Sequence, residues 1–270
     1  MRVLRALGIG LLAIAALFAI LVWVTAPSAK PGQLLLQPKT DFTKGRLFAY
    51  VAPWGGETLA MTRGWSRVAD RMIIDLRQFP GNPRIRWRWP LFAPRVGPGV
   101  WGYNFVAYDN YDGGPTEQPV QPTRVRDLKV LRQQFRWSLA NRWGDANVLT
   151  EFYLRTNTTD VDAKPIEIGW FLHTPASTRR FFEKSRLVGR YVDPQGRRWI
   201  VRIADRFCMF ALEVPGDLPS GELDMLHALR WLQQRGLVTG NEWFWGVAIG
   251  AEPVRGVGDM TLHAWKVDRQ

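Results

Sequence analysis

From Phe42 onward the chain is written in short stretches where apolar and polar residues alternate, each ended by glycine, proline or an Asp/Asn turn. A period of two gives a strand one dry face and one wet face, and it does not fit an amphipathic helix. Residues 84–89 (RIRWRW) put Ile85, Trp87 and Trp89 on one face and Arg84, Arg86 and Arg88 on the other. Trp101, Tyr103, Phe105 and Ala107 share one parity before Asp112-Gly113-Gly114 breaks the pattern. Residues 187–214 read as three strands joined by tight turns at residues 193–196 and 204–205. One stretch has a helical period. In residues 220–236, Leu223, Leu226, Leu229 and Leu232 recur every three residues, with Ser220 as a cap and Gly236 as a stop. Many short strands and one helix predict an all-β sandwich with that helix packed on it.

The strands begin only after a leader. Arg2 and Arg5 precede a run of 19 apolar residues, close to the ~20 that span a bilayer. Positive charges ahead of such a run predict a cytoplasmic N-terminus and an exported body. Two readings stay open for residues 1–26. An uncleaved signal-anchor would tether the body to the inner membrane, facing the periplasm or cell exterior. A signal peptide cleaved near Ala26 or Ala29 would release a secreted protein, although Pro27 disturbs that cleavage register. Residues 27–41 form a linker, and residues 42–270 are one folded domain without internal repeats.

The polar composition excludes several chemistries. Cys208 is the one cysteine, so no internal disulfide forms, and its apolar setting marks it as a core thiol. His173, His227 and His263 are scattered, so neither a metal site nor a cofactor is indicated. The net charge is +12, but the arginines are spread along strands and loops without a dense basic run. That pattern suits a solvated basic surface, or attachment to anionic lipid or acidic polymers, better than nucleic acid.

Residues 164–175 (KPIEIGWFLHTP) hold the most unusual charge. Ile166, Ile168, Trp170 and Leu172 form a core face; Glu167, Gly169, Phe171 and His173 form the other. A carboxylate there is either solvated or faces a wet cleft, since desolvating it alone costs several kcal/mol. Glu151 lies in a similar strand (VLTEFYL), and Glu252 sits between Gly250 and Pro253, where the backbone aims its side chain. Two carboxylates across a cleft are what glycosidic cleavage requires: one ionised, one holding a proton for the leaving oxygen. The alternative is that these glutamates are surface residues or salt-bridge partners.

Several blocks, in order, resemble glycoside hydrolase family 12, whose members are mostly endo-β-1,4-glucanases and xyloglucanases with a concanavalin-like β-jelly-roll fold. They are VRDLKVLRQQFRWSLAN, NVLTEFYLRTN, IEIGWFL, GRRWIVRI, SGELDMLHALRWLQQRGLV and AIGAEPVRG, with APWGGE as a weaker N-terminal block. The resemblance spans residues 45–267 and is strongest from Val125. It implies Glu167 as nucleophile, Glu252 as general acid/base and Glu151 as the acidic neighbour that tunes Glu167. Trp54, Trp87, Trp89, Trp101 and Phe171 are candidate sugar-stacking residues, with core packing as the alternative for each tryptophan. Departures from the family pattern cluster around the same site. Gly169-Trp170-Phe171 replaces Met-Ile-Trp, Glu151 replaces aspartate, Ala251 replaces threonine, and Ala52-Pro53 replaces paired asparagines.

These readings predict a retaining, endo-acting glycosidase whose partner is a β-1,4-glucan-type polysaccharide, joined to the membrane through the N-terminal helix, with a cleft shaped unlike an ordinary cellulase's. The rival expectation is a glycan-binding or envelope-organising protein that kept the fold without catalysis.

Overall fold

The computed structural model describes residues 8–10, 12–14, 16–17, 27–57, 64–94, 99–118 and 120–270, with the side chains of residues 141 and 142 left out. The apolar leader lies mostly outside the described residues; among those described, no helix is long and apolar enough to cross a membrane.

Among the described residues, fifteen strands make up the body: β1 (Gln33–Leu36), β2 (Asp41–Lys44), β3 (Leu47–Ala52), β4 (Arg71–Asp75), β5 (Arg84–Arg88), β6 (Tyr103–Asp109), β7 (Thr123–Arg124), β8 (Leu131–Arg155), β9 (Ile166–His173), β10 (Arg186–Val192), β11 (Arg198–Ala204), β12 (Phe207–Leu212), β13 (Ser220–Asp224), β14 (Trp243–Phe244) and β15 (Gly246–Arg269). At 25 and 24 residues, β8 and β15 are each more than about four times the usual strand length, and they pair antiparallel along nearly all of it. Each therefore serves two layers. The first half of β15 pairs with β6, and its second half with β5. The second half of β8 pairs with β9, and its first half with β13. One layer runs β1-β4-β5-β15-β8-β13; the other runs β2-β3-β6-β15-β8-β9-β12-β11-β10. The result is a jelly-roll-like β-sandwich.

Glycines mark where the long pair passes from one layer to the other. Gly144 and Gly256 face each other in register. A Cβ on Gly144 would lie 2.2 Å from the Arg255 carbonyl oxygen, and one on Gly256 would lie 2.0 Å from the Trp143 carbonyl oxygen. Gly256 also has φ +71°, a left-handed conformation open chiefly to glycine.

The core lies between the layers and takes the apolar parity of each strand. Ile85, Met260 and Leu262 from one layer meet Val51, Val106, Ile168, Trp170 and Ile249 from the other. The opposite face of the second layer carries a separate cluster that includes Phe48, Phe105, Leu149, Phe171 and Met209. This is the face that forms the cleft.

Among the described residues of the body, three short α-helices accompany the strands: α1 (Ser66–Ala69), α2 (Ala176–Lys184) and α3 (Met225–Gln233). The expectation of one helix over residues 220–236 is corrected at its start. Residues 220–224 pair with β8 as β13, and the helix begins at Met225 because Asp224 caps it, accepting a hydrogen bond from the His227 amide at 2.9 Å. Leu226, Leu229 and Leu232 are buried, as their spacing requires. α2 was not expected. It follows Pro175 with no side-chain cap and buries only Phe182, so its sequence carries little helical signature.

The pairing at Gly256 can be tested directly. Gly256→Ala should cost about 2 kcal/mol or more, seen as a lower melting temperature with an unchanged native β-sheet circular dichroism spectrum at 20 °C.

Candidate active site

A cleft of about 1060 Å³ opens on the free face of the second layer, with Glu151, Glu167 and Glu252 in its lining. The strands bring the three together as follows. Glu252 on β15 pairs with Asn147 on β8, and Ala248 pairs with Glu151, so Asn147 and Glu151 share one face of β8. Glu151 pairs with Gly169 on β9, two residues from Glu167. On β9, Ile166, Ile168 and Trp170 enter the core while Glu167 and Phe171 line the cleft, as the alternation requires.

Each carboxyl group is held by named partners. Asn147 Nδ2 donates to Glu252 Oε2 at 2.9 Å. The Tyr111 hydroxyl donates to Glu151 Oε1 at 2.5 Å. Glu151 and Glu167 also share a hydrogen bond. Tyr111 reaches Glu151 from a short turn after β6, and buried Asp109 anchors that turn. Asp109 accepts hydrogen bonds from Arg46 at 2.7 and 2.9 Å and pairs with Arg269.

Crowding these acids in a poorly solvated cleft changes their acidity. Burial pushes Glu252 up to about 8, the Glu151 charge adds to the rise, and the Asn147 hydrogen bond opposes it. Burial raises Glu167 to about 7; the hydrogen bond with Glu151 and the charge of Arg206 pull it down, and the Glu252 charge pushes it up. Glu151 is raised well above the carboxylate range, first by burial and then by the Glu167 charge. The shift favours the protonated form of Glu151, which is the form that donates in the hydrogen bond to Glu167. Burial thus raises all three carboxyl groups, and different partners oppose the rise at each.

The aromatic candidates divide. Trp54 lines the cleft and is 41% exposed, and Phe171 lines it from β9. Trp87, Trp89 and Trp101 do not reach it, which corrects their assignment as sugar platforms. All three are buried, Trp87 beside Ile85 on the core face of β5. Trp89 and Trp101 stack with ring centres 4.8 Å apart. They lie beneath the Trp54 segment: the Gly55 amide bonds the Trp101 carbonyl, and a Cβ on Gly56 would come 2.5 Å from the Trp89 ring. The arginines that alternate with them on β5 face away from the core, where Arg84 and Arg86 pair with buried Asp259.

Sequence reasoning missed Tyr111, Asn147, Tyr153, Arg206 and Phe207. Asn147 was within reach, because it lies four residues before Glu151 and a strand places both on one face. Tyr111 and Phe207 come from distant segments and leave no local sign.

The raised carboxyl pKa values link to stability. A carboxyl group whose folded pKa lies above its unfolded value stabilises the fold when protonated, and that contribution is lost as pH rises through the folded pKa. The native protein should therefore lose stability between pH about 4.5 and about 8. Glu252→Gln should melt higher than the native protein at pH 9, and that advantage should shrink at pH 5, as followed by thermal unfolding.

Comparison of the sequence with protein-family models and with curated proteins finds no match. Comparison of the fold with solved structures finds family 12 glycoside hydrolases consistently. Trichoderma harzianum endoglucanase 3 matches with a TM-score of 0.66 at 14% identity, over 90% of this chain and 100% of that one. The Rhodothermus marinus endoglucanase matches at 0.69 and 19% identity, over 88% and 99%. A family 12 xyloglucanase from Bacillus licheniformis matches at 0.67 and 15% identity, over 88% and 99%. The resemblance read from the sequence and these neighbours agree: the chain has the fold of the family 12 glycoside hydrolases.

Proposed function

We propose that this protein is a retaining, endo-acting glycoside hydrolase that cleaves β-1,4-glucan-type chains, with Glu167 as nucleophile and Glu252 as general acid/base. The observation that carries this reading is the convergence of three carboxyl groups with raised and unequal pKa values in one aromatic-lined cleft. In the first step ionised Glu167 attacks the anomeric carbon while Glu252 protonates the departing glycosidic oxygen. In the second, Glu252 removes a proton from water, which attacks the glycosyl-enzyme ester and frees Glu167. Neutral Glu151 donates its hydrogen bond to Glu167, which favours ionisation of the nucleophile and holds its side chain. Asn147 orients Glu252, and Trp54 offers an exposed ring to a sugar face. The apolar leader with Arg2 and Arg5 supports tethering of this activity to the outer side of the inner membrane.

Glu167→Gln should abolish reducing-end release from β-glucan while oligosaccharide binding persists. Full activity in that variant would falsify the assignment, and binding without release by the native protein would instead favour the non-catalytic reading. Products followed by proton NMR should appear first as the β-anomer. The active form needs Glu167 ionised and Glu252 protonated, so kcat/KM should follow a bell with limbs near about 7 and about 8. Asn147→Ala removes a hydrogen bond that favours ionised Glu252, so its alkaline limb should move up while the acid limb stays.

A further inference from the structure

We infer that the cleft takes a glycoside carrying an apolar substituent, an alkyl or acyl group lodged against the wall formed by Phe171, Phe181 and Phe207. This deepens the glycosidase reading and rests on it.

The two walls of the cleft differ in how many polar handles they offer. The side formed by β3, β6 and the segment after β3 mixes Phe48, Phe105 and Pro53 with Tyr50, Trp54 and Lys39, and the floor adds Asn147, Tyr153 and the glutamates. On that side and floor, apolar surface is interleaved with groups that can meet a sugar hydroxyl. The opposite side is built from β9, the end of β11, β12 and α2, and it presents Phe171, Phe207, Ala204, Phe181 and Thr178. Thr178 holds its single hydroxyl, and Asp205 and Arg206 stand exposed at the rim above it. A pyranose has two apolar faces but a belt of hydroxyls, and each hydroxyl taken from water without a partner costs affinity. A phenylalanine wall can serve one sugar face. It leaves the belt unpaired, whereas an alkyl or acyl group asks for nothing more than apolar surface.

Two details show that this wall is built into the fold. Phe207 lies beside Glu167 in the parallel β9–β12 pairing, and its ring occupies the space that a side chain at residue 169 would fill. A Cβ on Gly169 would lie 2.8 Å from the Phe207 ring and 3.4 Å from Glu151 Cβ. On α2, Phe182 packs into the buried cluster on the cleft face of the second layer, while Phe181 stays 44% exposed and lines the cleft. The apolar surface also continues past the main cleft. A smaller cavity of about 290 Å³ shares Phe171 with it and is lined by Ala176, Leu212 and Pro215, with Arg179 and Thr174.

The test uses the full chain carrying Glu167→Gln, so that ligands are bound but not consumed. Calorimetric titration would compare methyl β-cellobioside with butyl β-cellobioside and with 6-O-butyryl methyl β-cellobioside. The butyl glycoside places the apolar group at the chain end, and the butyryl ester places it on a branch. At least one of the two should bind about tenfold more tightly than the methyl glycoside, and which one does identifies the substituent's position. Adding Phe181→Ser, a change on an exposed helix face, should bring that ratio below threefold with an unchanged melting temperature. If all three probes bind within twofold of one another, the inference is overturned while the glycan cleft stands. A ratio that survives Phe181→Ser overturns the assignment to this wall. No binding by any probe overturns the glycosidase reading and this inference with it.

Discussion

The architecture depends on the antiparallel pairing of β8 with β15. Each strand runs through both layers of the sandwich, so the same ladder of hydrogen bonds carries the outer strands β5 and β13 at one end and the cleft strands β6 and β9 at the other. The ladder also sets the chemistry. Its register places Asn147 opposite Glu252 and Ala248 opposite Glu151. A slip of one residue would turn each of these side chains to the other face of the sheet. The apposed glycines 144 and 256 let the two backbones approach closely where the pair leaves one layer for the other. Stability and site geometry are therefore specified by one interaction.

The glutamates oppose the fold that holds them. Bringing three carboxyl groups into a poorly solvated cleft costs free energy unless some remain protonated, and burial is the largest cause of the rise at each of them. Hydrogen bonds then make them unequal. Tyr111 and Glu167 engage Glu151, Asn147 engages Glu252, and the charge of Arg206 acts on Glu167. Two-step glycoside cleavage needs such inequality, because an attacking carboxylate and a proton donor must coexist at one pH.

The fold alone admits many activities, and what individualises this chain lies around its glutamates. Tryptophans that might have faced sugar instead fill the sandwich and hold the Trp54 segment from below. With no side chain at 169, the Phe207 ring of β12 fills that space and joins Phe171 of β9 in the apolar surface of the cleft. α2 adds Phe181 to the same side. These are features of shape, and under the proposed function they bear on which glycan fits more than on how the bond is broken.

Much of this was legible in the sequence because strand periodicity is a local property. The alternation in β5 and β9, the leucine spacing of α3 and the turn at residues 193–196 follow from residues next to one another. Asn147 and Glu151 on one face follow from their spacing in the same way. The ordered blocks of residues 125–256 also brought Glu151, Glu167 and Glu252 forward as candidates. What the sequence could not decide was depth and meeting. Trp54 and Trp101 look alike in a chain of 14 tryptophans, yet one is exposed in the cleft and the other is buried against Trp89. Ser220 and Asp224 both suit a helix start, and β8 chose between them by pairing with residues 220–224. Tyr111 meets Glu151 across 40 residues, and Phe207 meets Gly169 across a parallel strand pair. Periodicity assigns a side chain to a face. Only the packing of distant strands determines what that face meets, and with it how much water each carboxyl group keeps.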